Sequence, residues 1–211
     1  MLGLIKKDLL MIKSSMRVFA ICLVAYVILG IIEGENYIIS YLPAFVVFMM
    51  MTTFSYDEYN KSDAYISTLP CGKKNVVKAK YLTTIILFIA FTLLSICYAT
   101  ILSFTNSDLQ LQDILVTILG VIFGVSIFQC VFYPMIYKFG IEKSRIAIII
   151  LVFGFVGIIA LLSKLNININ LSLGVTNFLD NYWFIIFPLI EMLVIYISYR
   201  ISAHIYMKKE F

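Results

Sequence analysis

Apolar residues run along this chain in six long blocks that short polar stretches separate. Blocks of about 20 apolar residues have the length that an α-helix needs to cross the hydrocarbon core of a bilayer. The pattern therefore predicts an all-α, polytopic membrane protein with a single transmembrane domain over residues 1–211. The predicted spans are Val18–Ile32, Tyr37–Phe54, Tyr81–Phe104, Ile114–Tyr137, Ile146–Ser163 and Tyr182–Tyr206.

Lysine and arginine are sorted between these polar stretches. Of the 16 cationic residues, 15 lie before span one, after span two, after span four or at the carboxy-terminal end from Arg200 onwards. Because Lys and Arg accumulate in short loops on the cytoplasmic side of a membrane, both termini are predicted to be cytoplasmic. Two cytoplasmic termini require an even number of spans, which six satisfies.

Composition supports this interpretation and excludes two other classes. The chain is 62% apolar and 13% charged, whereas soluble domains are about 45–50% apolar and about 25% charged. The net charge of +4 belongs to loops that face anionic lipid headgroups, so no nucleic-acid partner is expected. The four cysteines are spaced neither as metal pairs nor as a redox motif, so they are interpreted as packing residues.

The leader, residues 1–17, has its own apolar stripe. Residues on this stripe recur at steps of three and four, which predicts an amphipathic helix at the inner membrane interface. A disordered basic tail is the alternative. The stripe consists of Leu2, Ile5, Leu9, Ile12 and Met16.

The stretch after span two, residues 55–80, is more organised than a tether. Ser62 or Asp63 can cap a short helix that runs through Leu69, and Pro70–Gly72 then end it. A second helix follows and continues into span three. The alternative is a solvated linker. The outer loop, residues 164–181, is too polar to span the membrane but apolar enough to lie at the outer interface.

Motifs for ATP hydrolysis and for metal-dependent chemistry are absent from the sequence. There is no GxxxxGK[ST], no HExxH and no GxSxG, and the only histidine is His204. The chain is therefore predicted not to be an enzyme, with no catalytic residue, no bound metal and no cofactor of its own.

A few residues stand out inside the predicted spans. A carboxylate in mid-span costs several kcal/mol unless it is paired, hydrated or protonated, so Glu191 is a candidate functional residue. A structural hydrogen bond to another span is the alternative for Glu191, and also for the second polar candidate, Gln129. Gly120 and Gly124 form a GxxxG motif that allows close helix packing. Prolines that predict kinks within spans are Pro43, Pro134 and Pro188.

Parts of the sequence resemble a known family. The opening MLGLIKKDL, and the segments FSYDEYNKSD (residues 54–63), TLP (68–70) and KKNVVKAKYL (73–82), look like those of small permeases of type-2 ATP-binding-cassette (ABC) transporters. The chain is most similar to the permease subunits of phenol-soluble modulin exporters of Gram-positive bacteria.

This resemblance implies an exporter subunit in the bacterial plasma membrane that works with a separate ABC ATPase, which would hold ATP and Mg²⁺. It also implies a second permease, identical or unlike, and an amphipathic substrate, with a peptide favoured over a lipid-like molecule. The stretch after span two would form a coupling helix at about Asp63–Leu69 that docks on the ATPase. The coupling residues would be Asp57, Glu58, Asp63, Tyr65, Ile66, Leu69 and Pro70.

Two other functions remain open at this stage. A six-span secondary transporter would often show an internal repeat, and residues 1–104 and 105–211 show no convincing similarity. A non-transporting membrane protein, such as an immunity or sensor protein, would act without an ATPase partner.

Overall fold

The apolar blocks of the sequence form long helices in the computed structural model, which describes residues 2–33, 42–67, 72–105, 111–164 and 173–209. The prediction of an all-α chain is confirmed over these residues. The elements are α1 (Leu2–Glu33), a 3-10 turn (Leu42–Ala44), α2 (Phe45–Tyr59), α3 (Ser62–Ser67), α4 (Lys73–Thr105), α5 (Leu111–Phe139), α6 (Ile141–Lys164) and α7 (Leu173–Lys208).

Two segments of the described residues are long and apolar enough to cross a membrane, Lys73–Thr100 in α4 and Val116–Phe139 in α5. A third of the most apolar window of each is buried within the chain. The remaining two thirds leave an apolar surface that suits lipid better than water. Within the described residues the predicted spans are helical, but α1, α4 and α7 begin before their spans, and α7 begins at Leu173, inside the predicted outer loop. The total of six spans and their orientation stay predictions.

The leader helix is continuous with the segment predicted as span one. α1 runs for 32 residues without a break, which corresponds to about 48 Å at 1.5 Å per residue. The leader is helical as predicted, without a boundary before span one, and its position at the inner membrane interface stays a prediction. The buried stripe of the leader is Leu4, Asp8 and Ile12, whereas Leu2 and Met16 of the predicted stripe are exposed.

The stretch after span two contains the short helix α3 and the start of α4, the two helices that were predicted there. The short helix α3 ends at Ser67, and α4 begins at Lys73 directly after Gly72, whose φ of +67° suits glycine. Residues 68–71 lie outside the described residues. Pro134 and Pro188 lie within α5 and α7 as predicted, but Pro43 lies in the 3-10 turn that precedes α2.

The core lies towards the end of the molecule where α4 begins. The most extensive packing is between α5 and α7, with α4 against both. Aromatic rings from four helices meet edge to face, with centroids 5.0 to 5.6 Å apart, a geometry that aromatic pairs prefer. These rings belong to Phe54, Tyr81, Tyr133, Tyr137 and Tyr206.

Candidate functional site

Four charged side chains meet where α1, α2 and α4 come together. The Lys80 ammonium lies 3.0 Å from Asp8 Oδ1 and 2.6 Å from Asp57 Oδ2. The Lys7 ammonium lies 2.7 Å from Asp57 Oδ1 and 3.4 Å from Asp8 Oδ1. We call these four residues the ion cluster. Two cations and two anions alternate in it, so the ion cluster is neutral overall and joins three helices.

The ion cluster is largely withdrawn from solvent. Asp8 is 1% exposed and Lys80 is 3% exposed. A single charge buried to this degree would cost several kcal/mol, which close partners of opposite sign compensate. The Phe54 ring also covers the Lys80 ammonium, with 4.8 Å between Nζ and the ring centroid. Asp8 faces inward because it lies one turn from each of two buried residues of α1, Leu4 and Ile12.

Lys7 and Asp57 are held in their charged forms by their partners in the ion cluster. Burial disfavours the Lys7 ammonium, but the attraction of Asp57 and Asp8 outweighs it, so the pKa of Lys7 is raised above its ordinary value. Burial also disfavours the Asp57 carboxylate, but Lys80 and Lys7 outweigh it and lower the pKa of Asp57. Lys7 and Asp57 therefore stay ionised across the neutral pH range.

The short helix α3 is attached to the ion cluster by its inner face. Ser62 Oγ lies within hydrogen-bond distance of two acceptors of Asp57, Oδ1 at 2.7 Å and the carbonyl oxygen at 3.2 Å. Ile66 is 5% exposed and belongs to the main core, whereas Tyr65 is 69% exposed. α3 thus has an inner face that binds the helical bundle and an outer face that carries Tyr65.

The structure separates the residues that were predicted to couple to an ATPase. Asp57 is buried in the ion cluster, and Ile66, expected as a docking residue, faces the core instead. The side chain of Asp63 lies outside the described residues, and so do Leu69 and Pro70. Of the residues expected to contact a partner, the structure shows Tyr65 and Glu58 at the surface.

Glu58 joins α2 to the start of α6. Its Oε2 accepts a hydrogen bond from the Ile141 backbone N–H at 2.6 Å, where a carboxylate also interacts favourably with the helix dipole. Gly140 precedes α6 with a φ of +80°, and a Cβ built there would lie 2.9 Å from Glu58 Oε1. A second link runs from Arg145 Nη2 to Ser55 Oγ, 2.9 Å apart. Glu58 therefore has a structural partner within the chain.

Three members of the ion cluster were missed by the sequence reasoning, namely Lys7, Asp8 and Lys80. The two lysines were counted among the cations of cytoplasmic loops. A signal for Asp8 did exist, because it lies four residues after Leu4 and four before Ile12, on one face of a helix. The pairing itself joins residues far apart in sequence, which a linear pattern does not reveal.

A second polar site lies in the interior between α4, α5 and α7. A cavity of about 580 Å³ there is lined by both residues predicted as intramembrane polar candidates, Glu191 and Gln129. Gln129 is 3% exposed, and its Nε2 has no hydrogen-bond partner within the described residues. No lysine or arginine is among the described residues that line the cavity.

Gly120 and Gly124 lie on the exposed side of α5. A Cβ added at either glycine would meet nothing within 4 Å. Within the described part of the chain, no helix therefore packs closely against this motif, and its role in helix packing stays a prediction.

Neither site collects a set of metal ligands. Across the described ranges, no three His, Cys, Asp or Glu side chains come together in a group that suits an ion. The ion cluster joins three helices through ion pairs. The cavity has two polar side chains, Gln129 and Glu191, in a mostly apolar wall.

Helices long and apolar enough to cross a membrane agree with a helical membrane protein. The sequence model of the ABC-2 family transporter proteins matches residues 3–207, nearly the whole chain, and the chain belongs to this family. The family resemblance noted in the sequence is confirmed, while the narrower similarity to phenol-soluble modulin exporters stays a prediction. No curated protein and no solved structure matches the chain closely enough to show kinship.

Proposed function

We propose that this chain is the permease subunit of an ABC exporter that moves an amphipathic substrate, with a peptide favoured, out of the cytoplasm. Membership of the ABC-2 family implies a membrane protein with an ABC ATPase partner. In this proposal the ATPase is a separate subunit that binds ATP and Mg²⁺, and the chain itself catalyses no reaction. It acts in the bacterial plasma membrane beside a second permease.

The observation that carries the proposal is the two-faced attachment of α3. Its inner face is fixed by Ser62 on Asp57 and by the buried Ile66, while Tyr65 remains exposed on the outer face. A partner that binds the outer face can therefore push or pull on the bundle. A loosely tethered helix would move without displacing anything else.

Force applied to α3 has two paths into the helices. The first runs through Asp57 to Lys7 on α1 and Lys80 on α4. The second runs along α2 to Glu58, which binds the first backbone N–H of α6. We infer that closure of the ATPase displaces α3 and tilts α1, α2 and α6 towards an outward-open arrangement, with α4 carried along by the ion cluster.

The experiment is a pair of matched tyrosine variants. Tyr65→Ala removes the exposed ring of α3, and Tyr196→Ala removes a comparably exposed ring of α7, far along the chain from α3. The tagged chain is purified from its own membranes, and the accompanying ATPase is identified by mass spectrometry from its GxxxxGK[ST] motif. ATP hydrolysis is then measured in the purified complex.

We expect Tyr65→Ala to lose about tenfold in ATPase recovery, since a buried interface tyrosine commonly contributes more than 1 kcal/mol to association. Tyr196→Ala is expected to retain full recovery, and both variants should insert in the membrane equally. Full ATPase recovery and activity with Tyr65→Ala would count against docking through α3. A purified chain that never brings an ATPase with it would count against the exporter itself.

A further inference from the structure

The cavity between α4, α5 and α7 has an apolar wall and a small polar end. The wall is reached from outside the chain, because several of its residues are exposed on the outer surface of α4 and α7. In a bilayer that surface faces lipid, so an apolar molecule has access from the side. The wall residues that are exposed in this way are Ile85, Ile89, Leu189 and Met192.

Most polar groups that line the cavity already have hydrogen-bond partners. The hydroxyl groups of Tyr133 and Thr84 lie 2.5 Å apart. The Tyr81 hydroxyl lies 2.6 Å from Ser198 Oγ. Ser126 donates to a backbone carbonyl of its own helix at 2.9 Å. These groups hold the helices together and have little capacity left for a ligand.

Gln129 and Glu191 differ from these groups. The Gln129 amide nitrogen is a buried donor without a partner in the described chain. Because a buried donor without a partner is unfavourable, an acceptor placed there gains a correspondingly favourable hydrogen bond. Glu191 lines the same cavity, where none of the described lining residues is a cation. The two side chains together suit a ligand that brings both a cation and an acceptor.

We propose that this cavity binds the amino end of an amphipathic peptide, with the terminal ammonium on Glu191 and the first carbonyl oxygen on Gln129 Nε2. The apolar side chains of the ligand would lie on the wall. This inference rests on the proposed function, because it specifies the part of the substrate that the permease recognises. An anionic lipid or a fatty acid is disfavoured, since Glu191 would repel its headgroup.

The volume agrees with this class of ligand. A cavity of about 580 Å³ lies in the range of about 300–1,000 Å³ that small-molecule sites occupy. It holds one or two residues of a peptide rather than a folded helix. The remainder of a longer substrate would extend from the open side of the cavity towards lipid.

The test measures binding to the purified full-length chain in phosphatidylcholine nanodiscs, with empty nanodiscs as the background. The probe is leucine dodecylamide, which has a free amine next to a carbonyl and an apolar tail. Two relatives of the probe each lack one feature. N-acetyl-leucine dodecylamide has no ammonium, and dodecylamine has no carbonyl.

We expect the probe to bind about tenfold more tightly than either relative, because each relative lacks one of the two polar contacts. Glu191→Gln should lower the affinity for the probe to that of the N-acetyl form and leave the N-acetyl form unchanged. Gln129→Leu should lower the affinity for the probe to that of dodecylamine and leave dodecylamine unchanged. Glu142→Gln, which removes the same charge from an exposed position on α6, should change neither.

Equal binding of the probe and its N-acetyl form would overturn the proposal, and so would a preference for the ammonium that survives Glu191→Gln. The unaffected relative in each variant shows that the cavity is still folded. Because no ATPase is present, a failure here leaves the permease assignment standing. A failure of the Tyr65 experiment likewise leaves the binding result intact.

Discussion

Lys80 lies between the two carboxylates of the ion cluster and offsets their negative charge. It contacts both carboxylates, Asp8 and Asp57, and its ammonium lies over the Phe54 ring. Because the ion cluster is buried away from water, its net charge affects the stability of the folded chain more than any single contact does. Removal of one member leaves an uncompensated charge, while removal of two members of opposite sign leaves a neutral pair. The ion cluster therefore predicts strongly non-additive mutations.

We predict that Asp8→Asn lowers the free energy of unfolding by about 3 kcal/mol, the low end of the cost of breaking a buried ion pair. Lys7→Met should also destabilise the chain. The double variant should be more stable than Asp8→Asn alone, because the remaining Lys80–Asp57 pair, at 2.6 Å, is neutral. Thermal unfolding in detergent measures this, with the exposed Lys6→Met as a control. Additive losses would contradict the balance argument.

The shifted pKa values of the ion cluster predict a broad pH plateau of stability. The pKa of Asp57 lies below its ordinary value of 3.8, so its contribution is present above that pH and is lost as the pH falls through the lowered value. The pKa of Lys7 lies above 10.5, so its contribution is present below that pH and is lost as the pH rises through the raised value. The unfolding temperature should therefore stay constant between about pH 5 and pH 9 and fall on both sides.

Asp57→Asn provides the check on the acid side. Without the titrating carboxylate, the fall in unfolding temperature at low pH should become shallower, although the variant is less stable at neutral pH. If the unfolding temperature of the variant falls at low pH as steeply as that of the parent chain, other carboxylates cause the sensitivity to acid.

At the scale of helices, the junction of α5 and α6 depends on one glycine. Gly140 has a φ of +80° and leaves room for the Glu58 carboxylate that caps α6. We predict that Gly140→Ala lowers the free energy of unfolding by about 1–2 kcal/mol, from backbone strain and from the clash with Glu58. Gly154→Ala, inside α6 with nothing within 4 Å of the added Cβ, should be neutral or stabilising.

Glu58→Ala separates the two causes of this loss. The cost of Gly140→Ala should be smaller in the Glu58→Ala background, because the atom that the new Cβ meets is gone. The part that persists is the strain of the left-handed backbone. An identical cost in both backgrounds would show that the carboxylate can move aside without a penalty.

The sequence predicted the helices well because apolar length and turn residues act locally. α3 and the turn at Gly72 follow from a polar start and a glycine stop, and both are present. The continuity of α1 was not predicted, because the polar residues of the leader suggested a boundary near Arg17. Some of the charged residues of the leader, such as Lys7 and Asp8, pair with other helices. Their charge is accommodated within the fold, and α1 continues past them. The inner face of α3 was missed because burial of Ile66 depends on the core behind it.

The ion cluster could not be predicted from the linear sequence, because three of its four ion pairs join residues 23 to 72 positions apart. The charge pattern assigns lysines to lipid headgroups by default, and this assignment is wrong for Lys80. The cavity was partly predictable, since Glu191 and Gln129 are conspicuous within apolar blocks. That both line one cavity required the packing of α5 against α7.

For the whole molecule, both ends of the chain lie at one end of the bundle. The start of α1 contacts Lys80 through Asp8, and Lys73 donates a hydrogen bond to the Lys209 carbonyl oxygen at 2.7 Å. Lys73 and Lys80 both belong to the first turns of α4, so the two chain ends are neighbours. This placement agrees with the predicted even number of membrane crossings. The predicted side of the membrane rests on the charge pattern.

The predicted orientation does not depend on the lysines of the ion cluster. Lys7 and Lys80 face carboxylates rather than lipid headgroups, so they are poor reporters of orientation. Without them, 13 cations still lie in the predicted cytoplasmic stretches, and only Lys164 lies in an outer stretch. That asymmetry is the pattern by which positively charged loops remain inside.

Single cysteines in a cysteine-free background test this orientation directly. We predict that Asn36→Cys and Ser107→Cys react with a membrane-impermeant maleimide added to intact cells, since both positions follow odd-numbered predicted spans. Lys61→Cys, between α2 and α3, should react only after the cells are lysed. The reverse pattern would place α3 outside the cell, where no ATP-driven partner reaches it, and would remove the coupling mechanism. Two positions on the same side of the membrane are separated by an even number of spans. Reaction at Asn36→Cys but not at Ser107→Cys would therefore show that the predicted number of spans between these positions is wrong.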